Sequence, residues 1–285
     1  MELVTAPTRL VRRTLESPEI RIACIGDIQF DGEDGIAHKR LLERVIDYEL
    51  NKGSIFLGTG DLLDIESPSG RDKLNQALFY DSVRLSLDKV ARLLEDELFD
   101  VLKDTKDRWL GSVAGHHYHI HSTGETSDTY LCQKLGAPFL GDSAFIDLPL
   151  DDGNKHTKKI RIWVHHGSGG GQKTAAISNW LENRAAYFDA QIMVAGHQSK
   201  LAATPIPFLT VIGKEIVSDP RWLIGNGGFL RGYMQGHQIG GRSMGSYVEK
   251  KAMPPVALGY VALNISLRRN DVRTMVNIVP EIHAF

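Results

Sequence analysis

Ser54-Ile55-Phe56-Leu57-Gly58-Thr59-Gly60-Asp61-Leu62-Leu63-Asp64 is a short apolar run that breaks into glycines and then carboxylates. The run Ile55-Phe56-Leu57 is too short for a helix and reads as a buried strand. Glycines on both sides of Thr59 let the backbone turn sharply, so Asp61 and Asp64 stand just past the strand end. The same grammar recurs along the chain. Arg21-Ile22-Ala23-Cys24-Ile25 runs into Gly26-Asp27-Ile28-Gln29, and residues 110–114 run into Gly115-His116-His117. Ile160-Arg161-Ile162-Trp163-Val164 ends at His165-His166-Gly167, and residues 191–195 end at Gly196-His197-Gln198-Ser199. In α/β folds ligands bind beyond the carboxyl ends of the strands. Five such loops, each carrying Asp or His, can therefore converge on one site.

Helical patterns separate these strands. Leu41, Leu42, Val45, Ile46 and Tyr48 recur at helical spacing over residues 36–52, with Gly53 as the stop. One long helix is expected over residues 72–104, its apolar stripe formed by Leu74, Leu78, Val83, Leu87, Val90, Leu94, Leu98 and Leu102. Thr126 or Ser127 can cap a helix that stops at Gly136, and a further helix is expected over 175–187. Segments near 208–217, 256–266 and 273–280 read as strands. The fold class is α/β. The chain reads as an N-terminal arm, residues 1–20, and one domain, residues 21–285.

Composition narrows the function classes. The chain has 285 residues, 42% hydrophobic and 24% charged, with a formal net charge of −2. No global field draws it to nucleic acid or an acidic membrane. No run approaches the ~20 apolar residues that span a bilayer, and no secretion signal is evident. The two cysteines, Cys24 and Cys132, read as reduced structural thiols, and a cytoplasmic location is the expectation. Of eleven histidines, seven fall in three clusters: 116–121, 165–166 and 197. Asp and His together suit zinc, manganese or iron.

In order and context the five loops resemble those of the calcineurin-like metallophosphoesterases. That family's pattern is Asp-x-His, Gly-Asp-x-x-Asp, Gly-Asn-His-Asp/Glu, a His often followed by His or Gly, and Gly-His-x-His. The resemblance covers residues from about 21 to 200 and implies an αββα sandwich of two mixed sheets flanked by helices. It implies an enzyme: a metal-dependent phosphodiesterase or phosphatase in which metal-activated water attacks a phosphoester, nucleic acid and nucleotide included. By the same resemblance Asp27 belongs to a first metal, Asp61 bridges two metals, and His165 and His197 belong to a second. His117 falls at a histidine that protonates the leaving oxygen, and Asp64 at the carboxylate that orients it. Tyr247, Pro254, Pro255 and Gly259 resemble, more loosely, the C-terminal segment of phage-encoded members, where a closing β-hairpin is expected. For such a member the location would be the host cytoplasm.

Four positions depart from the pattern. Gln29, His116, Tyr118 and Ser199 stand where the family has His, Asn, an acid and His. Both lost histidines belong to the first metal. The second site gains His116 and suits zinc, iron or manganese, while the first, with Gln29 as an oxygen donor, suits magnesium or manganese more weakly. One tight and one labile ion are expected. His119 and His121 alternate with His117, so all three share a face if the chain is extended. They either line the pocket and touch phosphate or form a polar surface strand. In the pair His165-His166 the first is expected to ligate and the second to point away or toward substrate. Gly167-Ser168-Gly169-Gly170-Gly171-Gln172-Lys173-Thr174 nearly fits a phosphate-binding loop, with Gln172 where a glycine belongs. It reads as a substrate loop bearing Lys173. Two other functions compete: a decayed enzyme serving as a binding or structural phage protein, and a nucleotide-binding protein using Lys173 and Thr174.

Overall fold

The computed structural model describes residues 10–12, 17–32, 35–77, 79–151, 157–171, 173, 175–212, 214–234, 238–239, 242–243, 246–269 and 274–285. In chain order the first elements are β1 (Leu10–Arg12), β2 (Glu19–Ile25), α1 (Lys39–Asn51), β3 (Ile55–Gly58), α2 (Pro68–Gln76) and α3 (Asp81–Leu102). Then come β4 (Trp109–Ser112), α4 (Ser127–Leu135), β5 (Ser143–Asp151), β6 (Thr157–His165), α5 (Ala176–Ala185) and β7 (Ile192–Ala195). The last are β8 (Ala202–Ile206), β9 (Leu209–Ile212), β10 (Glu215–Ser218), β11 (Arg221–Gly225), β12 (Gln238–Ile239), β13 (Arg242–Ser243), α6 (Tyr247–Lys250), β14 (Gly259–Arg269) and β15 (Thr274–Ala284).

Two large mixed sheets pack face to face with helices outside, the expected αββα arrangement. One has the order β15-β14-β2-β3-β4, the other β1-β5-β6-β7-β11-β8. Strands β2, β3 and β4 run parallel, as do β6, β7 and β11. Alternation along each strand builds the layers. On β2, Ile22 and Cys24 face the other sheet, while Ala23 and Ile25 face α1, α3 and α4. On β6, Ile160, Ile162 and Val164 enter the same inter-sheet core, while Trp163 packs with Ile177 and Leu181 of α5. The carboxyl ends of β2, β3 and β4 therefore meet those of β6 and β7 along one rim.

The stretch expected as one helix over residues 72–104 is two. Ser67 Oγ accepts the Gly70 N–H at 3.1 Å and Pro68 opens α2, while Ala77, in extended backbone, ends it. The inward line of α3 is Ala91, Glu95, Leu98 and Leu102, and Val83 and Val90 are exposed. Leu94, Leu98 and Leu102 of the expected stripe do face inward, but an inward Glu does not count toward such a stripe, so its first half was misplaced; Leu78 lies outside the described residues. Helix α4 matches its expectation, with Thr126 as cap and Gly136 left-handed at φ 64°. Strands β5, β8 and β11 were not foreseen. The closing hairpin exists as β14–β15, but Tyr247 lies outside it, at the start of α6. Leu10–Arg12 of the N-terminal arm adds an edge strand parallel to β5. No helix among the described residues is long and apolar enough to cross a membrane.

Candidate metal centre

The loops after β2 and β3 zip together beyond their strands. Asp27 N donates to Gly60 O at 2.9 Å, Gln29 N to Asp61 O at 3.0 Å and Phe30 N to Leu62 O at 3.1 Å. To turn their side chains onto the rim, Asp27, Gln29, Asp61, His197 and Ser199 all adopt left-handed backbone, with φ between 46° and 64°. Each such non-glycine conformation costs on the order of 1–2 kcal/mol, and such strain collects at functional sites. The glycines have a steric reason. A Cβ at Gly115 would stand 2.2 Å from Asp61 Oδ1, and one at Gly196 would stand 2.5 Å from Asp27 Oδ2.

Asp61, His116, His166 and His197 converge, with one ligand atom from each within 4.8 Å of the others. His166 Nδ1 donates to Thr59 O at 2.7 Å, which leaves Nε2 facing Asp61 Oδ2 at 3.1 Å. His116 Nδ1 and His197 Nδ1 face each other at 3.3 Å. Asp61 Oδ1 accepts the His117 N–H at 3.1 Å and that of His116 more closely. Asp27 lies beside the group, its Oδ2 accepting the His197 N–H at 2.8 Å. In this group three buried atoms make no aligned hydrogen bond: Asp27 Oδ1, and the ion-paired Asp61 Oδ2 and His166 Nε2. Buried polar atoms are rarely left so. Two carboxylate oxygens and one imidazole nitrogen on one rim form the donor set of a divalent ion, so the residues fit the metal that the sequence implies.

Burial opposes a charge on His166, but Asp61 outweighs it and raises the imidazole to about 9. Burial pushes the Asp27 carboxyl up to about 7. The Asp61 carboxyl, though burial opposes it, is held well below the usual range by His166. Burial lowers His197 to about 4 and lowers His116 as well, so both imidazoles are neutral donors at neutral pH.

His165 does not join the group. It shares strand parity with Trp163 and faces α5, its ring centroid 5.6 Å from Trp163 and 5.4 Å from Trp180. Its Nδ1 accepts the Gly167 N–H at 2.7 Å. His166 shares parity with Val164 and enters the space between the sheets. The expected order of the pair is thus reversed.

His117 Nδ1 donates to Asp64 Oδ1 at 2.7 Å, and its Nε2 lies 4.0 Å from Asp61 Oδ2. Burial works against its protonation, but Asp64 and Asp61 outweigh burial and its pKa is raised. His119 is placed away from His117, because residues 115–119 bend rather than extend. Its ring nitrogens meet Glu66 at 2.6 Å and Asp88 at 2.9 Å. His121 joins it there. Gln29 and Ser199 are buried, and Tyr247 Oη donates to Gln29 Oε1 at 3.4 Å. Lys173 is exposed, while Gln172 and Thr174, on which the nucleotide-binding reading turns, lie outside the described residues.

Sequence reasoning missed three supports. Arg71 donates from Nη1 to the carbonyls of His116 at 3.2 Å and Tyr118 at 2.8 Å. Buried Asp128 accepts the Gly115 N–H at 2.9 Å. Tyr247 reaches the site from α6, in a segment whose only signal was the looser phage resemblance.

No protein-family model and no curated protein matches the chain. Solved structures do. Vacuolar Protein Sorting 29 from Cryptosporidium parvum is similar at 12% identity, covering 93% of this chain and 99% of that one, with a TM-score of 0.38. Wild-type Vps29 complexed with zinc from Entamoeba histolytica is 14% identical, covering 92% and 99%, with a TM-score of 0.40. A predicted phosphoesterase from Streptococcus pneumoniae is 12% identical, covering 94% and 98%, with a TM-score of 0.31. Likenesses this distant assign no residue a role, and the roles below rest on the site's own geometry.

Proposed function

We propose that the chain is a metal-dependent hydrolase of phosphomonoesters or phosphodiesters. The observation that carries this reading is the convergence of Asp61, His116, His166 and His197 beside the buried, unpartnered Asp27 Oδ1. Burial without a partner costs roughly 1–3 kcal/mol per group, and a divalent cation would answer Asp27 Oδ1 while taking Asp61 and His166 as ligands. Asp61, His116, His166 and His197 would hold one ion. Asp27, Asp61 and Gln29 would hold a second, harder and more labile one, since Gln29 and Ser199 stand where imidazoles would bind it more strongly. Such ions, when bound, polarise phosphoryl oxygens and lower the pKa of water.

The chain's own share falls to His117. With Nδ1 committed to Asp64, its Nε2 is the end turned to the site and able to protonate a leaving oxygen. Asp64 positions that ring. Arg71 holds the backbone on either side of His117, and Tyr247 covers Gln29.

The test is hydrolysis of an aryl phosphomonoester and an aryl phosphodiester by purified protein with added manganese. Hydrolysis of at least one is expected, with a manganese dependence that continues after the tight position is filled. A protein that binds metal but hydrolyses neither would favour a second reading: the fold kept for a binding or structural role. The loss of both first-metal histidines, at Gln29 and Ser199, is the observation on its side.

A further inference from the structure

The loop that brings His116 and His117 to the rim continues into a second cluster. Asp88 on α3, His119 and His121 place one ligand atom each within 4.8 Å of the others. Asp88 Oδ1 lies 2.9 Å from His119 Nε2 and 3.7 Å from His121 Nδ1. Atoms bound to one ion at about 2.0–2.2 Å stand about 3–4 Å from one another, so this spacing is that of a ligand set.

The far side of each ring is equally specific. His119 Nδ1 donates to Glu66 Oε1 at 2.6 Å and His121 Nε2 to Glu95 Oε1 at 2.6 Å. A metal-ligating imidazole commonly donates its other N–H to a carboxylate, which fixes the tautomer and raises its basicity. Asp88 Oδ2 is itself held by the Ser122 hydroxyl at 2.6 Å and the Ser122 N–H at 3.0 Å. Both histidines and Glu95 are buried. Arg92 lies 2.9 Å from Glu95 Oε2 and 3.0 Å from Glu125 Oε2, and Arg84 lines the cavity beside the cluster. Glu95 Oε2, fully buried, has no aligned hydrogen bond. An independent feature supplies access. A cavity of about 230 Å³, lined in part by Phe79, Leu87 and Ile120, opens on Asp88, His119 and His121.

We infer that Asp88, His119 and His121 form a second, separate site for a divalent transition ion such as zinc or iron(II). Two imidazoles and one carboxylate with open positions suit such an ion. Because Asp88 belongs to α3 and both histidines to the loop after His117, the ion ties that loop to the helix.

The test uses the full chain and cobalt(II) as the probe. A His116→Ala/His197→Ala variant disables the first cluster and should still bind one equivalent of cobalt, read by ligand-field absorption. Adding Glu66→Gln, which removes only the carboxylate behind His119, should weaken that affinity about 10–100-fold. Crystals of the unaltered chain soaked in cobalt should show an anomalous peak among Asp88, His119 and His121. A folded His116→Ala/His197→Ala protein that binds no cobalt would overturn the inference, leaving a hydrogen-bonded histidine–carboxylate network. So would soaked crystals with a peak at Asp61 and none at Asp88.

Discussion

His116 and His119 stand on one loop, yet their surroundings are opposite. Around His116, rings face one another, and residues of neighbouring loops hold left-handed backbone. Around His119, both ring nitrogens meet carboxylates and the backbone is ordinary. The imidazole behind Asp61, that of His166, donates to a neutral carbonyl, whereas those beside Asp88 donate to glutamates. Carboxylate support makes an imidazole a more basic ligand. In the proposed hydrolase the first arrangement serves the chemistry and the second holds a loop to a helix.

The contrast breaks most visibly on Asp61. Asp61→Ala should abolish phosphoester hydrolysis while leaving cobalt binding at Asp88, His119 and His121 intact, a result read by assay and by metal stoichiometry. His117→Ala should lower turnover about a hundredfold to ten-thousandfold without metal loss. The loss should be smaller for substrates whose leaving group needs no proton, and release of metal would show that His117 ligates.

Glu95→Ala probes the other side. Removing one partner of a buried pair costs about 3–5 kcal/mol, so chemical denaturation should show a large loss of stability. Turnover per folded molecule should change far less. Equal loss of activity would merge the two regions into one.

Asp128 sharpens the comparison at the loop's root, where it accepts the Gly115 N–H. Burial raises its carboxyl to about 6. A raised carboxyl favours the folded state fully below its unfolded value near 4, and that contribution is lost as pH rises through about 6. Asp128→Asn should remove this part of the pH dependence, so the variant gains on the wild type between about pH 4 and pH 6.5 in thermal unfolding. An unchanged difference across that range would mean that Asp128 is ionised throughout. The smallest effect is expected from Tyr247→Phe, which removes one long hydrogen bond to Gln29. Turnover should fall a few-fold or less, with more manganese needed for half-saturation.

Much of this was legible because strand-end loops are short and chemically loud. Asp27, Asp61, Asp64, His116, His117 and His197 all lie where the strand-to-loop grammar puts them. What escaped was orientation. On β6, Lys159 and Arg161 mark the odd positions as the outer face and Ile160, Ile162 and Val164 the even ones as inner. That alternation sends His165 outward and His166 inward, and analogy to a family's first histidine overrode it. The His119 and His121 cluster was hidden for another reason. Its partners Asp88 and Glu95 sit on a helix whose inward line contains a Glu, and a hydrophobic stripe counts such a residue as solvent-facing. Arg71 and Asp128 act through backbone groups, which leave no residue pattern.

The central claim is that His166, with Asp61, His116 and His197, builds the metal centre that hydrolyses phosphoesters. The most direct measurement compares His165→Ala with His166→Ala for metal content and for manganese-supported hydrolysis of an aryl phosphodiester and an aryl phosphomonoester. The account predicts that His166→Ala loses the ion at this centre and the activity, while His165→Ala keeps both. Retention of metal and activity by His166→Ala, with their loss in His165→Ala, would contradict it.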